Sequence, residues 1–216
     1  MSAAPGMRVI GPAYPVNLLL AGKPVLVVGG GSVAVGKVAG LVEAGAVVTV
    51  VAPAVRDEIV ALGVTVHRRG YEPGDLVGQR LVVVAVDDAA VAQAVHDDAD
   101  AAGIFVNSAD DPARCTFTLP SRFRRGDLLV TVSTGGRSPA LAAWLRRRLE
   151  EEIGPEHEQL LELLAAERDA MRARGEPTEI PGWRKALESG MLERLLDGDV
   201  PGARELLRTC LSSSSA

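Results

Sequence analysis

The sequence predicts an α/β fold: a doubly wound domain on a parallel sheet, then a hairpin region and a small helical domain. Three observations predict it. Apolar, β-branched runs alternate with helical patterns over residues 24–107. A glycine cluster stands at the first junction between such a run and a helix. The chain is 47% hydrophobic but only 3% aromatic, so its core must come mainly from Val, Leu and Ala, which suits buried parallel strands packed by helices.

Strands are expected at residues 25–28, 47–51, 64–66, 81–86 and 104–106, and the clearest helices at 33–44 and 89–102. Strand, helix, strand alternation implies right-handed crossovers. After Asp111-Pro112 the rhythm changes. Residues 115–121 and 128–133 read as two strands joined by a charged turn at 124–127 that contains Gly126. Ser138 then caps a helix that starts at Pro139, with Leu141, Leu145 and Leu149 marking one face. A long helix is expected over 155–174, a break at 175–182, and short helices around 183–196 and 201–211. The expected domains are 1–113, a dimerisation region 114–148, and a helical domain 149–216. Trp144 and Trp183 are expected to pack the helical part.

A net charge of -5 argues against general affinity for nucleic acid or an anionic membrane. Cys115 and Cys210 are the two cysteines, far apart and without C-x-x-C spacing, which suggests neither a disulfide framework nor a thiolate zinc site. His67, His96 and His157 are scattered, with no spacing that brings two onto one metal. No basic segment followed by a long apolar stretch opens the chain, so a cytoplasmic protein is expected. Met7 reads as an alternative start and residues 212–215 as a solvated tail.

The sharpest local signal is Gly29-Gly30-Gly31-Ser32-Val33-Ala34, a G-x-G-x-x-A that follows a strand and opens a helix. Gly29 permits the tight turn, Gly31 lets backbone approach a pyrophosphate, and Ala34 allows close helix-strand packing. Placed inside a complete βαβ unit, the motif points to a Rossmann domain that binds a dinucleotide. At the end of the second strand, where an acid commonly holds the adenosine ribose, stands Val51-Ala52-Pro53. Arg56 is close but not at the strand end. The local chemistry therefore leaves NAD against NADP open.

At the carboxyl end of the last strand comes Asn107-Ser108-Ala109-Asp110-Asp111-Pro112, at the edge where such sheets hold ligands. Asp111 reads as a turn residue before proline, while Asp110 is balanced between turn and function. A third element, Ser133-Thr134-Gly135-Gly136-Arg137-Ser138-Pro139, joins a strand end to a capped helix and could present free N–H groups to an anion. Arg114, Arg122, Arg124, Arg125 and Arg137 cluster nearby, which suits a carboxylate-rich substrate. A solvated turn and an ordinary helix cap explain any one of these arginines equally well.

Taken in order, these pieces resemble the sirohaem synthase family: NAD-dependent precorrin-2 dehydrogenases, some of which are also sirohydrochlorin ferrochelatases. The resemblance is carried by Tyr14-Pro15-Val16, the Val27-to-Ala34 loop with Lys37 behind it, Val51-Ala52-Pro53, and the Val106-to-Pro112 stretch. Phe117-Thr118-Leu119-Pro120 and the Val132-to-Pro139 stretch complete it. It implies a homodimer with NAD as cofactor and Asp110 as catalytic acid or base. Ala52, Pro53, Val86, Asp87 and Asn107 join residues 29–34 as cofactor contacts, with Asn107 positioning nicotinamide or substrate. Residues 133–137 would receive carboxylates of precorrin-2. Ala85-Val86-Asp87 departs from the family pattern, where a Thr usually precedes the acidic residue, and Thr134 stands where Ser is common.

The implied reaction is oxidation of precorrin-2 to sirohydrochlorin. Whether ferrous iron is then inserted stays open, because monofunctional dehydrogenases share the framework. Two other readings remain: an NAD-sensing regulatory module without catalysis, and an NADP-dependent reductase of a different acidic small molecule.

Overall fold

The computed structural model describes residues 13–212. The Met7 start and the serine tail beyond residue 212 lie outside them. The chain divides into two compact units, Met1–Leu119 and Pro120–Ala216.

The first unit is a five-stranded parallel sheet in the order β3-β2-β1-β4-β5. Its strands are β1 (Pro24–Val28), β2 (Val47–Val51), β3 (Thr65–His67), β4 (Leu81–Val84) and β5 (Phe105–Ser108). Helices α1 (Ser32–Glu43), α2 (Asp57–Val60) and α3 (Ala89–Ala101) alternate with them. The expected alternation and the Rossmann architecture are both present.

Side chains of the central strands alternate between two buried layers, as a sheet covered on both faces requires. Val25 and Val27 of β1, with Leu81 and Val83 of β4, pack with Ala34 and Val38 of α1. Leu26, Val28, Val82 and Val84 face the other way, onto Ala92, Val95 and Ala99 of α3. No buried member of either layer is aromatic, so the low aromatic content carries through to the core. Asp88 starts α3 by accepting the Ala90 and Val91 N–H groups at 2.8 and 3.2 Å.

One backbone hydrogen bond beyond each strand end draws the carboxyl edge level. The N–H of Ala52 donates to His67 O at 3.1 Å, and that of Gly29 to Val51 O at 3.0 Å. Ala85 donates to Val28 O and Ala109 to Val84 O, both at 2.8 Å. Residues 29, 52, 85 and 109 thereby form one continuous rim.

The second unit opens with an antiparallel hairpin, β6 (Ser121–Arg125) and β7 (Leu128–Val132). The first strand therefore lies later than the expected 115–121. Residues 116 and 117 are used elsewhere: Thr116 and Phe117 N–H groups donate to Val106 O at 2.8 and 3.3 Å, and Val106 N–H donates to Thr116 Oγ1 at 2.7 Å. They cover the outer edge of β5, which would otherwise be left unpaired. The hairpin then closes through the two-residue turn Gly126-Asp127, with Gly126 at φ +53, a conformation that twists with the strands.

Helices α4 (Pro139–Glu152), α5 (Glu156–Ala173), α6 (Gly182–Glu188), α7 (Met191–Leu196) and α8 (Val200–Ser212) follow. Ser138 caps α4 as expected, its Oγ accepting Leu141 N–H at 3.2 Å. The core of the helical part gathers Met171, Ala186, Met191, Leu207, Cys210 and Leu211. Trp183 packs on it and donates its indole N–H to Thr178 O at 2.8 Å. Trp144 does not pack there: it is 46% exposed, as is Leu141, and Ala142 is the buried residue of α4. The Arg148 guanidinium lies over the Trp144 ring, 5.1 Å from its centroid. No helix among the described residues is long and apolar enough to cross a membrane.

Leu26 is fully buried at the centre of the sheet. Leu26→Ala is expected to lower the free energy of unfolding by about 2–5 kcal/mol, measured by urea titration followed by circular dichroism. A loss under about 1 kcal/mol would contradict this packing.

Candidate functional site

The glycine loop stands between β1 and α1, and its three glycines meet different surroundings. Gly29 has φ +121, and a Cβ there would lie 2.1 Å from the Ala85 carbonyl oxygen. A Cβ on Gly30 would lie 2.2 Å from Ala54 O and 2.8 Å from Val55 Cα. Gly29 thus fits the loop against the end of β4, and Gly30 fits it against the turn after β2. Around Gly31 a Cβ would meet nothing within 4 Å. Gly31 is the N-cap of α1, and no side chain caps that end. Open space and uncapped N–H groups face the same point, which fits the pyrophosphate of a dinucleotide. Ala34 is fully buried under the helix.

Residues 107–115 form a loop of unusual geometry at the end of β5. Asn107 and Ser108 are the buried polar residues of the described chain. Asn107 Nδ2 donates to Phe117 O at 3.1 Å, which fixes the amide. Cys115 closes the loop. Its Sγ accepts Ser108 N–H at 3.2 Å and shares its own proton between Ser108 O at 3.2 Å and Asp111 O at 3.3 Å. Burial pushes the Cys115 thiol up, against the opposing pull of the Ser108 hydrogen bond, so the protonated donor is the form present at neutral pH.

Inside this closure Asp110 sits at φ +57, the one non-glycine residue with positive φ among those described. Such backbone strain is held in place by surrounding contacts and gathers at functional sites. The Asp110 side chain is exposed and makes no hydrogen bond or ion pair among the described residues. Asp111 is engaged: its carboxylate pairs with Arg114, whose Nε also donates to Gln93 Oε1 at 2.8 Å. The two neighbouring aspartates therefore differ in freedom.

The other sequence-selected residues of this unit lie along the same edge. Ala52 is buried and Pro53 exposed just beyond β2; Val86 is half-buried and Asp87 exposed just beyond β4. Ser32 and Val33 are exposed at the start of α1.

Residues 133–137 belong to the second unit. There the Gly135 N–H donates to Ser133 Oγ at 3.2 Å, Arg137 N–H to Thr134 O at 3.2 Å, and Ser138 N–H to Thr134 Oγ1 at 3.1 Å. Gly136 keeps the one N–H without a partner over residues 135–138. The expectation of several free N–H groups is thus corrected, because the Ser133 and Thr134 hydroxyls and the Thr134 carbonyl take them. Arg137 is exposed and without an ion pair. Arg125 is not available in that way: it donates to Ile153 O at 3.1 Å and Glu150 O at 3.0 Å, tying β6 to the end of α4. Among the described residues no group of three or more His, Cys, Asp or Glu side chains is placed to hold a metal ion.

Cys115 and the Gly30 contact were not foreseen as parts of this edge. A cysteine that bonds Ser108 seven residues back and Asp111 four residues back leaves no periodic signal, and the middle glycine of a G-x-G reads as a free position.

Residues 16–121 match the family described as putative NAD(P)-binding, and residues 125–152 match the sirohaem biosynthesis protein central family. The siroheme synthase of Methylobacillus flagellatus is 39% identical over 205 residues, which is 92% of this chain and 44% of the relative. That of Methylococcus capsulatus is 40% identical over 199 residues, 89% of this chain and 42% of the relative. The chain spans under half the length of these curated relatives. Among solved structures, SirC, a precorrin-2 dehydrogenase, superposes with a TM-score of 0.69 at 28% identity, covering 93% of this chain and all of that one. The order of motifs, the five-stranded sheet with its glycine loop, and these matches agree: the chain belongs to the sirohaem synthase N-terminal family.

Proposed function

We propose that this chain oxidises precorrin-2 to sirohydrochlorin with NAD as the hydride acceptor, in the cytoplasm and as a homodimer. The observation that carries the reading is Asp110: a free, exposed carboxylate on a strained backbone, on the same sheet edge as the glycine loop. A dinucleotide-sensing module has no use for such a group. The likeness to SirC across its full length supports the substrate.

Residues 29–34 hold the pyrophosphate at the α1 N-terminus, and Ala52, Pro53, Val86 and Asp87 border the rest of the dinucleotide. Asn107, its amide fixed by Phe117 O, orients the nicotinamide or substrate edge. Bound NAD supplies a two-electron acceptor at its nicotinamide ring. Asp110 takes the proton that leaves precorrin-2 as the hydride departs, so two electrons and two protons leave the macrocycle in all. Gly136 N–H and Arg137 receive substrate carboxylates. Dimer formation covers the exposed Leu141 and Trp144 of α4 and the open edges of the two-stranded hairpin.

Asp110→Asn is expected to lower turnover of precorrin-2 by about 10²–10⁴-fold while NAD binding and fold persist, because asparagine keeps the shape but takes no proton. Asp111→Asn should stay within a few-fold of wild type. Sensitivity at Asp111 instead of Asp110, in anaerobic assays that follow the sirohydrochlorin spectrum, would reverse the assignment. Gly31→Asp should fold, since a side chain there meets open space, yet lose dinucleotide binding through repulsion of the pyrophosphate. Calorimetric titration checks it, and unaltered affinity would remove the phosphate-loop role. Sedimentation velocity should give a dimer; a monomer at working concentration would contradict the α4 interface.

A further inference from the structure

We propose that Glu58 sets the dinucleotide preference of this chain, disfavouring a 2′-phosphate by occupying the guanidinium of Arg56. The inference rests on the dinucleotide reading above and deepens it.

In a Rossmann domain the adenosine ribose lies just beyond the second strand, where an acid selects the free 2′-hydroxyl or an arginine accepts a 2′-phosphate. Here β2 ends at Val51, and Ala52 and Pro53 carry no charge. The charged groups come slightly later and lie against the glycine loop. Arg56 N–H donates to Gly30 O at 3.0 Å, and the Ala54 carbonyl fills the place of a Gly30 Cβ. This turn is therefore part of the wall beside the pyrophosphate loop.

Arg56 does not present an open fork to that wall. Its Nη2 donates to Glu58 Oε1 at 2.7 Å, and its Nε lies 3.2 Å from both Glu58 oxygens. The side chains are 51% and 55% exposed, so the pair is within reach of a ligand. Arg68 approaches the same turn from the end of β3, its Nη1 donating to Val55 O at 3.4 Å. No carboxylate stands within ion-pair distance of Arg68 among the described residues. The Arg56 hydrogen bond holds the Glu58 carboxyl below the usual range, so Glu58 is ionised at neutral pH.

A bidentate guanidinium–carboxylate pair uses the same donors that would fork a phosphate. An incoming 2′-phosphate must displace the carboxylate and then lie beside its charge, whereas a neutral 2′-hydroxyl does neither. Selectivity of this kind comes from repelling the competitor as much as from attracting the preferred ligand. Removing the Glu58 charge frees the Arg56 guanidinium to fork a phosphate, with Arg68 at the same turn.

The test is calorimetric titration of the full chain with NAD and with NADP. Wild type should bind NAD more tightly, and Glu58→Gln should move the ratio of NADP to NAD affinity toward NADP by about tenfold. Adding Arg56→Ala to Glu58→Gln should abolish that gain. Both side chains are half-exposed, and circular dichroism verifies that the variants fold. An unchanged ratio in Glu58→Gln or a gain that survives loss of Arg56 would overturn the proposal alone, and a wild type that prefers NADP would overturn it together with the choice of NAD as acceptor. A wild type that binds neither dinucleotide would overturn the dinucleotide reading and this inference with it.

Discussion

Four backbone hydrogen bonds, each one residue past a strand end, hold the carboxyl edge of the sheet level. Everything placed on that edge depends on them. Because Ala85 N–H reaches Val28 O, the Ala85 carbonyl comes close under Gly29, and no residue with a Cβ fits above it. Because Ala109 N–H reaches Val84 O, Asp110 follows one residue beyond the same rim. A register slip of one residue in any of these parallel pairs would exchange the two buried layers and carry the loops out of line together.

The loop after β5 shows how a strained residue is maintained. A backbone at φ +57 is costly for a residue with a side chain, and the thiol of Cys115 bonds the backbone on both sides of it, at Ser108 and at Asp111. Arg114 fixes the Asp111 side chain as well. The arrangement leaves a single unpaired carboxylate at the tip, so adjacent residues of the same type acquire different chemistry from their contacts alone.

The strand-helix alternation, the glycine motif and the cap at Ser138 were legible in the sequence because each depends on local rules: period, backbone conformation and a hydrogen bond within three residues. The first hairpin strand was not legible at its true position. Its apolar predecessors at 115–119 alternate well enough for a strand, and only the unpaired edge of β5, far away in sequence, claims them instead. Arg125 likewise reads as one of five clustered cations, yet Ile153 O and Glu150 O absorb it. The asymmetry between Asp110 and Asp111 was visible only as a turn preference before proline; the ion pair with Arg114 that supports it arises from a short helical turn at Pro112–Arg114.

The distribution of indole rings has a practical side. Both tryptophans, Trp144 and Trp183, belong to the second unit, and the unit that carries the glycine loop has none. Their settings also differ: Trp183 is packed into a core with its N–H bonded, while Trp144 is half-exposed on its protomer beneath a guanidinium. Intrinsic emission excited at the red edge therefore reports the hairpin and helices selectively. In a single protomer the Trp144 indole is open to a collisional quencher and in the proposed dimer it is covered, while Trp183 is shielded in both, so quenching reports subunit separation without any label being introduced.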